Sequence, residues 1–230
     1  MTVDQALPTR DRILRAAADL LQEGGRDAVS TRAVSAAAGV QAPALYRLFG
    51  DKDGLLDAVA SYGFEEYLGQ KHDLGATGDP VGDLRRGWDL HIQFGLTRPA
   101  FYALMYGEAR PGGPSPAAKE AAAILHGIIS RIAEAGQLTM SVERAAELTH
   151  STGVGVVLSL IALPPAERDL EISTVAREMV VHMITTDEPA PAAGLATRAV
   201  ALRAALTGEL PFSPAEQALL SEWLDRLADG

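Results

Sequence analysis

The amino-acid sequence predicts an all-α protein: an N-terminal three-helix helix-turn-helix domain joined to a larger helical domain. Three observations carry this. No segment of the 230 residues keeps a period-two apolar alternation between hairpin turns, so strands are not expected. Apolar residues recur instead at i, i+3 and i+4 through stretches separated by Gly and Pro. Two short amphipathic segments, Thr31–Ala38 and Ala42–Phe49, flank Gly39-Val40, the build of two short helices about a tight turn.

Taken in order, Thr9 is the expected N-cap of the first helix, with Asp11 in its first turn. Ile13, Leu14, Ala17, Leu20 and Leu21 form its apolar face, and Gly24-Gly25 is expected to end it after Glu23. Ser30-Thr31 caps the second helix, and Gly39 ends it by taking the left-handed conformation. Val40 is apolar and suited to pack between the helices, while Ala33, Val34, Ala37 and Ala38 are small enough for a close crossing. Pro43 is accommodated in the first turn of the third helix, where no N–H is needed. Leu45, Leu48 and Phe49 give that helix a buried side; Ala42, Pro43, Tyr46 and Arg47 occupy the other.

Gly50 ends the third helix, and Lys52 opens a fourth that runs to Gln70 with Leu55, Leu56, Val59, Tyr62 and Phe64. Residues 75–80 are a break, Pro80 starts a helix to about Arg98, and Pro99 starts another to Gly107. Residues 111–116 are Pro/Gly-rich and predict a loop. Ala117 to Ala135 follows, with Ile124, Leu125, Ile128, Ile129 and Ile132 on one broad face. Val142 to Leu163 ends at Pro164-Pro165, and Arg168 to Thr186 is a further amphipathic helix. A linker over 189–194 leads to two late helices, Leu195–Leu206 and Pro214–Ala228, which flank the turn over 208–211.

A helix-turn-helix lays its second helix in the DNA major groove, and an ordinary αα-hairpin is the alternative for the turn taken alone. Arg47 offers two donors to a guanine edge, and both Tyr46 and Arg47 can reach phosphates. The flanks extend the pattern. Ile-Leu-x-Ala-Ala, the Gly pair, Thr-x-x-Val, Ala-Ala-Gly-Val, Leu-Tyr-x-x-Phe and Lys-Asp-x-Leu follow one another between Thr9 and Val59. Over that first quarter the chain resembles the TetR family of transcriptional regulators.

The resemblance implies roles for particular residues. Thr31 would bind a phosphate at the start of the second helix, with Arg32 beside it touching backbone or a base edge. Tyr46 would pack on the sugar-phosphate chain and Lys52 would reach phosphate. Gln41 stands where the family usually carries Ser or Thr, and Ala42 and Ala44 replace residues that are often polar. Base reading then falls to Arg47, Gln41 and Arg32, with Ala42, Ala44 or Pro43 suited to a thymine methyl. The expected division is residues 1–52 for DNA binding and 53–230 for ligand binding and dimerisation. The expected partners are a double-stranded DNA operator, a small-molecule effector and a second copy of the chain. The family further implies a repressor, released when a small apolar or aromatic ligand changes the spacing of the two recognition helices.

Composition bounds these readings. The net charge is −10, but residues 1–50 hold six Arg/Lys against five Asp/Glu, so the acidic excess lies in the remainder. That balance argues against a protein that coats nucleic acid non-specifically. With no cysteine there are no disulfides, thiolate nucleophiles or Cys-ligated zinc, which fits a cytoplasmic protein. Charges at Asp4, Arg10, Asp11 and Arg12 are unlike a signal peptide. The longest apolar run, Gly153 to Leu163, is too short to span a bilayer, so no membrane partner is expected.

Gly153 and Gly155 lie in an almost continuously apolar segment that permits close approach of another helix. With the stripe of the next helix, this makes Gly153, Val157, Ile161, Val175, Met179 and Met183 the candidate dimer interface; a place in a monomer core is the alternative. For the effector, Trp88, Phe101, Tyr102 and Met105 suit an apolar pocket with His91 and His150 as polar anchors. Each of these residues has a core position as its alternative. The five histidines lack metal-site spacing, so neither a metal nor a cofactor is expected. Catalysis is not expected either. There is no GxSxG and no phosphate loop, Gly153-Val154-Gly155 follows no strand, and the adjacent Glu65 and Glu66 point to different helix sides. The rival to a DNA-binding regulator is a helical protein-interaction module without DNA binding.

Overall fold

Periodicity and punctuation in the sequence translate directly into helices. The structure, a computed structural model, describes residues 8–107, 113–114, 116–186, 194–206 and 210–229. Among them lie eleven α-helices and one short 3₁₀ turn, and extended backbone pairs only at the antiparallel bridge Leu138–Thr185. The described helices include none long and apolar enough to cross a membrane. The expected loop over 111–116 and linker over 189–194 fall mostly outside the described residues, as do Gly208 and Glu209 of the expected late turn.

The chain divides into two compact units, residues 1–70 with 93–120, and residues 71–92 with 121–230. The first unit begins with α1 (Thr9–Ala28), α2 (Thr31–Ala38), α3 (Ala42–Phe49) and the greater part of α4 (Lys52–Asp73). Its core is the set of apolar faces read from the periodicity: Ile13, Leu14, Ala17 and Leu21 of α1, Val34 of α2, Leu45 of α3, and Leu55, Leu56 and Val59 of α4 are all buried. One boundary of α1 differs from expectation. Pro8 occupies the cap position, its carbonyl accepting from the Asp11 and Arg12 N–H groups, so Thr9 is already the first helical residue. At the other end Gly25 (φ 68°, ψ −167°) ends the first helical run at the expected glycine pair, and a short second run continues to Ala28.

The end of α5 (Pro80–Thr97), α6 (Pro99–Tyr106) and the first turn of the helix that starts at Pro116 belong to this unit too, α6 packing on α1. Phe64, Tyr67 and Phe94 form an aromatic cluster, Tyr67 stacking on Phe94 at 4.6 Å and Phe64 meeting Phe94 edge-on at 5.0 Å. Such pairs add roughly 0.5–1.5 kcal/mol each beyond the area they bury. Phe101 fills the space beside Gly63, where an added Cβ would stand 2.1 Å from the Phe101 ring.

The second unit contains the first turns of α5, most of α7 (Pro116–Glu134), α8 (Val142–Ile161), α9 (Glu171–Ile184), α10 (Leu195–Ala205) and α11 (Pro214–Asp229). A 3₁₀ turn, Pro165–Glu167, starts on the second proline of the pair and delays α9 to Glu171, three residues later than the sequence suggests. Three side-chain pairs join α5 to α9. Arg85 donates in a fork to the Glu178 carboxylate (2.9–3.1 Å), the Trp88 indole N–H donates to Ser173 Oγ (3.1 Å), and Arg177 pairs with Asp89. The late helices pack on each other, and α11 returns to the start of α8. There Asp229 accepts from the Ser141 N–H (3.1 Å) and hydroxyl (2.9 Å) and pairs with Arg144.

Candidate nucleic-acid interface

The turn between α2 and α3 is built from local rules. Ser30 caps α2, its hydroxyl accepting the Ala33 N–H at 3.2 Å. Gly39 closes the helix with φ 63° and ψ 39°, a conformation costly for any residue carrying a Cβ. Gln41 precedes α3 in extended backbone but makes no side-chain cap bond, in line with its departure from Ser or Thr. Pro43 lies in the first turn as expected.

Leu45 is fully buried and anchors α3, but Leu48 is 40% exposed, so the buried side of α3 is narrower than the spacing implied. An eight-residue helix offers little more than two turns, and Leu45 alone faces the core squarely. Pro43, Tyr46 and Arg47 follow at i, i+3 and i+4 on the solvent side, where Tyr46 is 51% exposed. Arg32, Gln41 and Lys52 are exposed as well, while Thr31 and Ala42 are half-buried. Among the described residues, Arg32, Arg47 and Lys52 enter no ion pair, so their charges remain available to an outside anion.

Two supporting contacts escaped sequence reasoning. Asp51 Oδ1 accepts the Gly54 N–H at 2.8 Å and so caps α4, fixing Lys52 in its first turn. At Gly54 a Cβ would stand 2.1 Å from the Phe49 carbonyl oxygen, so the α3–α4 corner demands glycine. The Asp51-to-Gly54 spacing could have revealed the cap; the close approach depends on the corner itself. The other contact is Arg10, whose guanidinium lies 5.7 Å from the Phe49 ring centroid and ties α1 to the end of α3.

The six residues considered for an effector are divided between the units: Trp88, His91 and His150 belong to one, and Phe101, Tyr102 and Met105 to the other. Trp88 is buried and hydrogen-bonded, and Phe101, Tyr102 and Met105 are buried. Burial pushes the His91 pKa down to about 3, with the charges of Lys71 and His150 acting in the same direction. His150 is likewise lowered by burial, against the pull of Glu147. Both rings are therefore neutral near pH 7.

The candidate dimer residues also separate. Gly153 and Val157 are buried within their own unit, Gly153 against His91 and Trp88. Ile161 is half-buried, whereas Val175, Met179 and Met183 form an exposed apolar stripe along α9.

Comparison with known proteins follows the same geography. The profile described as "Bacterial regulatory proteins, tetR family" matches residues 13–59. The class A tetracycline repressor protein from transposon 1721 of Escherichia coli is 47% identical over 60 residues, a stretch spanning 26% of this chain and 26% of that repressor. Over greater length, a TetR-family transcriptional regulator from Streptomyces coelicolor is 30% identical, with a TM-score of 0.57 over 75% of this chain and 95% of the other. The repressor of the Stenotrophomonas maltophilia multidrug efflux pump SmeDEF shares the fold, with a TM-score of 0.61 at 20% identity over 80% of this chain and 93% of that one.

Proposed function

The chain belongs to the TetR family of transcriptional regulators, and from that premise we propose that it is a cytoplasmic, homodimeric, DNA-binding repressor released by a small apolar or aromatic effector. Residues 1–52 would bind the operator and residues 53–230 would dimerise and take up the effector. One observation carries the reading. The exposed face of α3 presents Pro43, Tyr46 and Arg47, and Arg32, Arg47 and Lys52 keep their charges uncommitted in a chain with a net charge of −10. Thr31 and Lys52 would position the phosphate backbone. Arg47, with Gln41 and Arg32, would read base edges, and Ala42 and Pro43 would supply apolar contact.

For the dimer, Val175, Met179 and Met183 supply an apolar stripe that a symmetry-related copy would cover, with Ile161 at its margin. Gly153 and Val157 would support that surface from inside. For the effector, uptake at Trp88, His91 and His150 would require α5 and α8 to part, since these side chains already pack within the unit. A ligand releases DNA only if it favours the non-binding spacing of the two α3 helices.

An electrophoretic mobility assay on the DNA upstream of the chain's own gene, at two salt concentrations, tests the reading. Specific binding that weakens steeply with salt supports it. Absence of any salt-dependent binding would favour the protein-interaction module instead.

A further inference from the structure

Phe49, the last residue of α3, stands between two helical neighbours: Leu45, four residues back, is buried, and Tyr46, three back, is exposed. Phe49 itself is half-buried, so its ring borders the Tyr46 side of α3. Arg10 of α1 lies over that ring, its guanidinium carbon 5.7 Å from the centroid. Such a contact draws on the positive charge and the face of the ring, and it leaves the guanidinium N–H groups unspent. Among the described residues the exposed Arg10 side chain enters no hydrogen bond or ion pair.

Position and charge decide what that guanidinium can meet. A recognition helix reads bases with its N-terminal residues, so a cation at its C-terminal end is placed for the sugar-phosphate chain instead. The α3–α4 corner also needs a further cation to attract a phosphate. Asp51 and Asp53 flank Lys52, and the carbonyl end of α3 adds partial negative charge. Arg26 offsets one of these carboxylates, 3.8 Å from Asp53. Arg10 supplies a charge that the Phe49 ring holds in place and no described carboxylate consumes.

We propose that Arg10 is a backbone-positioning residue for DNA: the Phe49 ring holds its guanidinium on the Tyr46 side of α3, at the end of that helix, where it donates to one phosphate in each half-site. The proposal rests on the DNA-binding reading and extends it to α1, which none of the contacts expected from the sequence involves. The ring contact orders a long side chain before DNA arrives, so less rotamer freedom is lost when the phosphate binds.

The test is fluorescence anisotropy of the full chain with its upstream DNA and with a scrambled duplex, over a series of salt concentrations. Arg10→Ala should weaken binding to both duplexes by about tenfold or more and flatten the salt slope by ~1 per chain bound, with a melting temperature near wild type. Arg10→Lys keeps the charge and should keep most of the slope. Phe49→Leu should weaken binding in the wild-type background yet add little beside Arg10→Ala, because the ring acts through the arginine. Arg12→Ala is the control: Arg12 lies about 200° round α1 from Arg10, so loss of the same charge there should leave the slope unchanged. An unchanged slope in a folded Arg10→Ala protein, a loss confined to one sequence, a slope as flat in Arg10→Lys as in Arg10→Ala, additive effects of Arg10→Ala and Phe49→Leu, or an equal loss in Arg12→Ala would each overturn the proposal. If the wild-type chain binds neither duplex, the DNA-binding reading falls together with this contact. If the wild type binds and Arg10→Ala binds equally well, this contact alone falls.

Discussion

Placing a methyl group at Gly63 tests whether Phe101 is a core residue or a ligand contact. The new Cβ would stand 2.1 and 2.2 Å from two carbons of the Phe101 ring, and ordinary contact begins at 3.4 Å. The ring must retreat by more than 1 Å, yet Phe101 is only 1% exposed and its surroundings are close-packed. Overpacking of this kind costs about 1–3 kcal/mol, while replacing a helical glycine by alanine contributes about 1 kcal/mol in the other direction. Gly63→Ala should therefore lose up to about 2 kcal/mol, or roughly 4–8 °C in melting temperature for a chain of this size. Gly127→Ala is the control, because its methyl meets nothing and should stabilise by about 1 kcal/mol. Phe101→Leu should be destabilising alone and less so beside Gly63→Ala, with a coupling of about 0.5–3 kcal/mol in urea unfolding. Equal stabilisation by the two alanines, or additivity within about 0.5 kcal/mol, would show the ring to be free to move and would restore Phe101 as a pocket candidate.

Further expectations concern DNA, assembly and pH. Arg47→Ala should relax preference at one position per half-site, by about 1–3 kcal/mol in a binding selection, whereas Lys52→Ala should weaken all sequences alike and flatten the salt slope by ~1. Met179→Lys places a charge on the exposed α9 stripe, so sedimentation should show a folded monomer with operator affinity lost; a persisting dimer would move the interface off α9. His91 has a folded pKa near 3, below its usual 6.5, so the unfolded chain binds the extra proton and stability should decline as pH falls from about 6.5 towards 3. Burial alone would raise the Asp83 pKa, but hydrogen bonds from Thr77 and Arg131, with the Arg131 charge, hold it below its usual 3.8. Its stabilisation is present above 3.8 and lost as pH falls through the depressed value, so melting curves of His91→Asn and Asp83→Asn should flatten the upper and lower parts of the acid decline respectively. A wild-type melting temperature that stays level between pH 7 and 4 would refute the neutral state of His91.

Helix positions and the helix-turn-helix were legible in the sequence because the forces that set them are local. Ser30 caps α2 through an N–H three residues away, Gly39 takes a left-handed turn alone, and the spacing of Ile13, Leu14, Ala17 and Leu21 states which side of α1 is buried. The exposed face of α3 followed from the same periodicity, except at Leu48, where the core proved too narrow to cover it. Contacts between distant residues were not legible. The Phe101 ring needs Gly63, the Trp88 indole needs Ser173, Asp83 needs Arg131 and the start of α8 needs Asp229; nothing local distinguishes those partners from their neighbours. Tertiary packing likewise decided that Gly153 and Val157 turn inward while Val175 and Met179 turn outward, since an apolar stripe specifies burial but not which neighbour buries it. It also decided that Arg10 lies over the Phe49 ring, because the start of α1 and the end of α3 are far apart in sequence and meet only once their helices have packed.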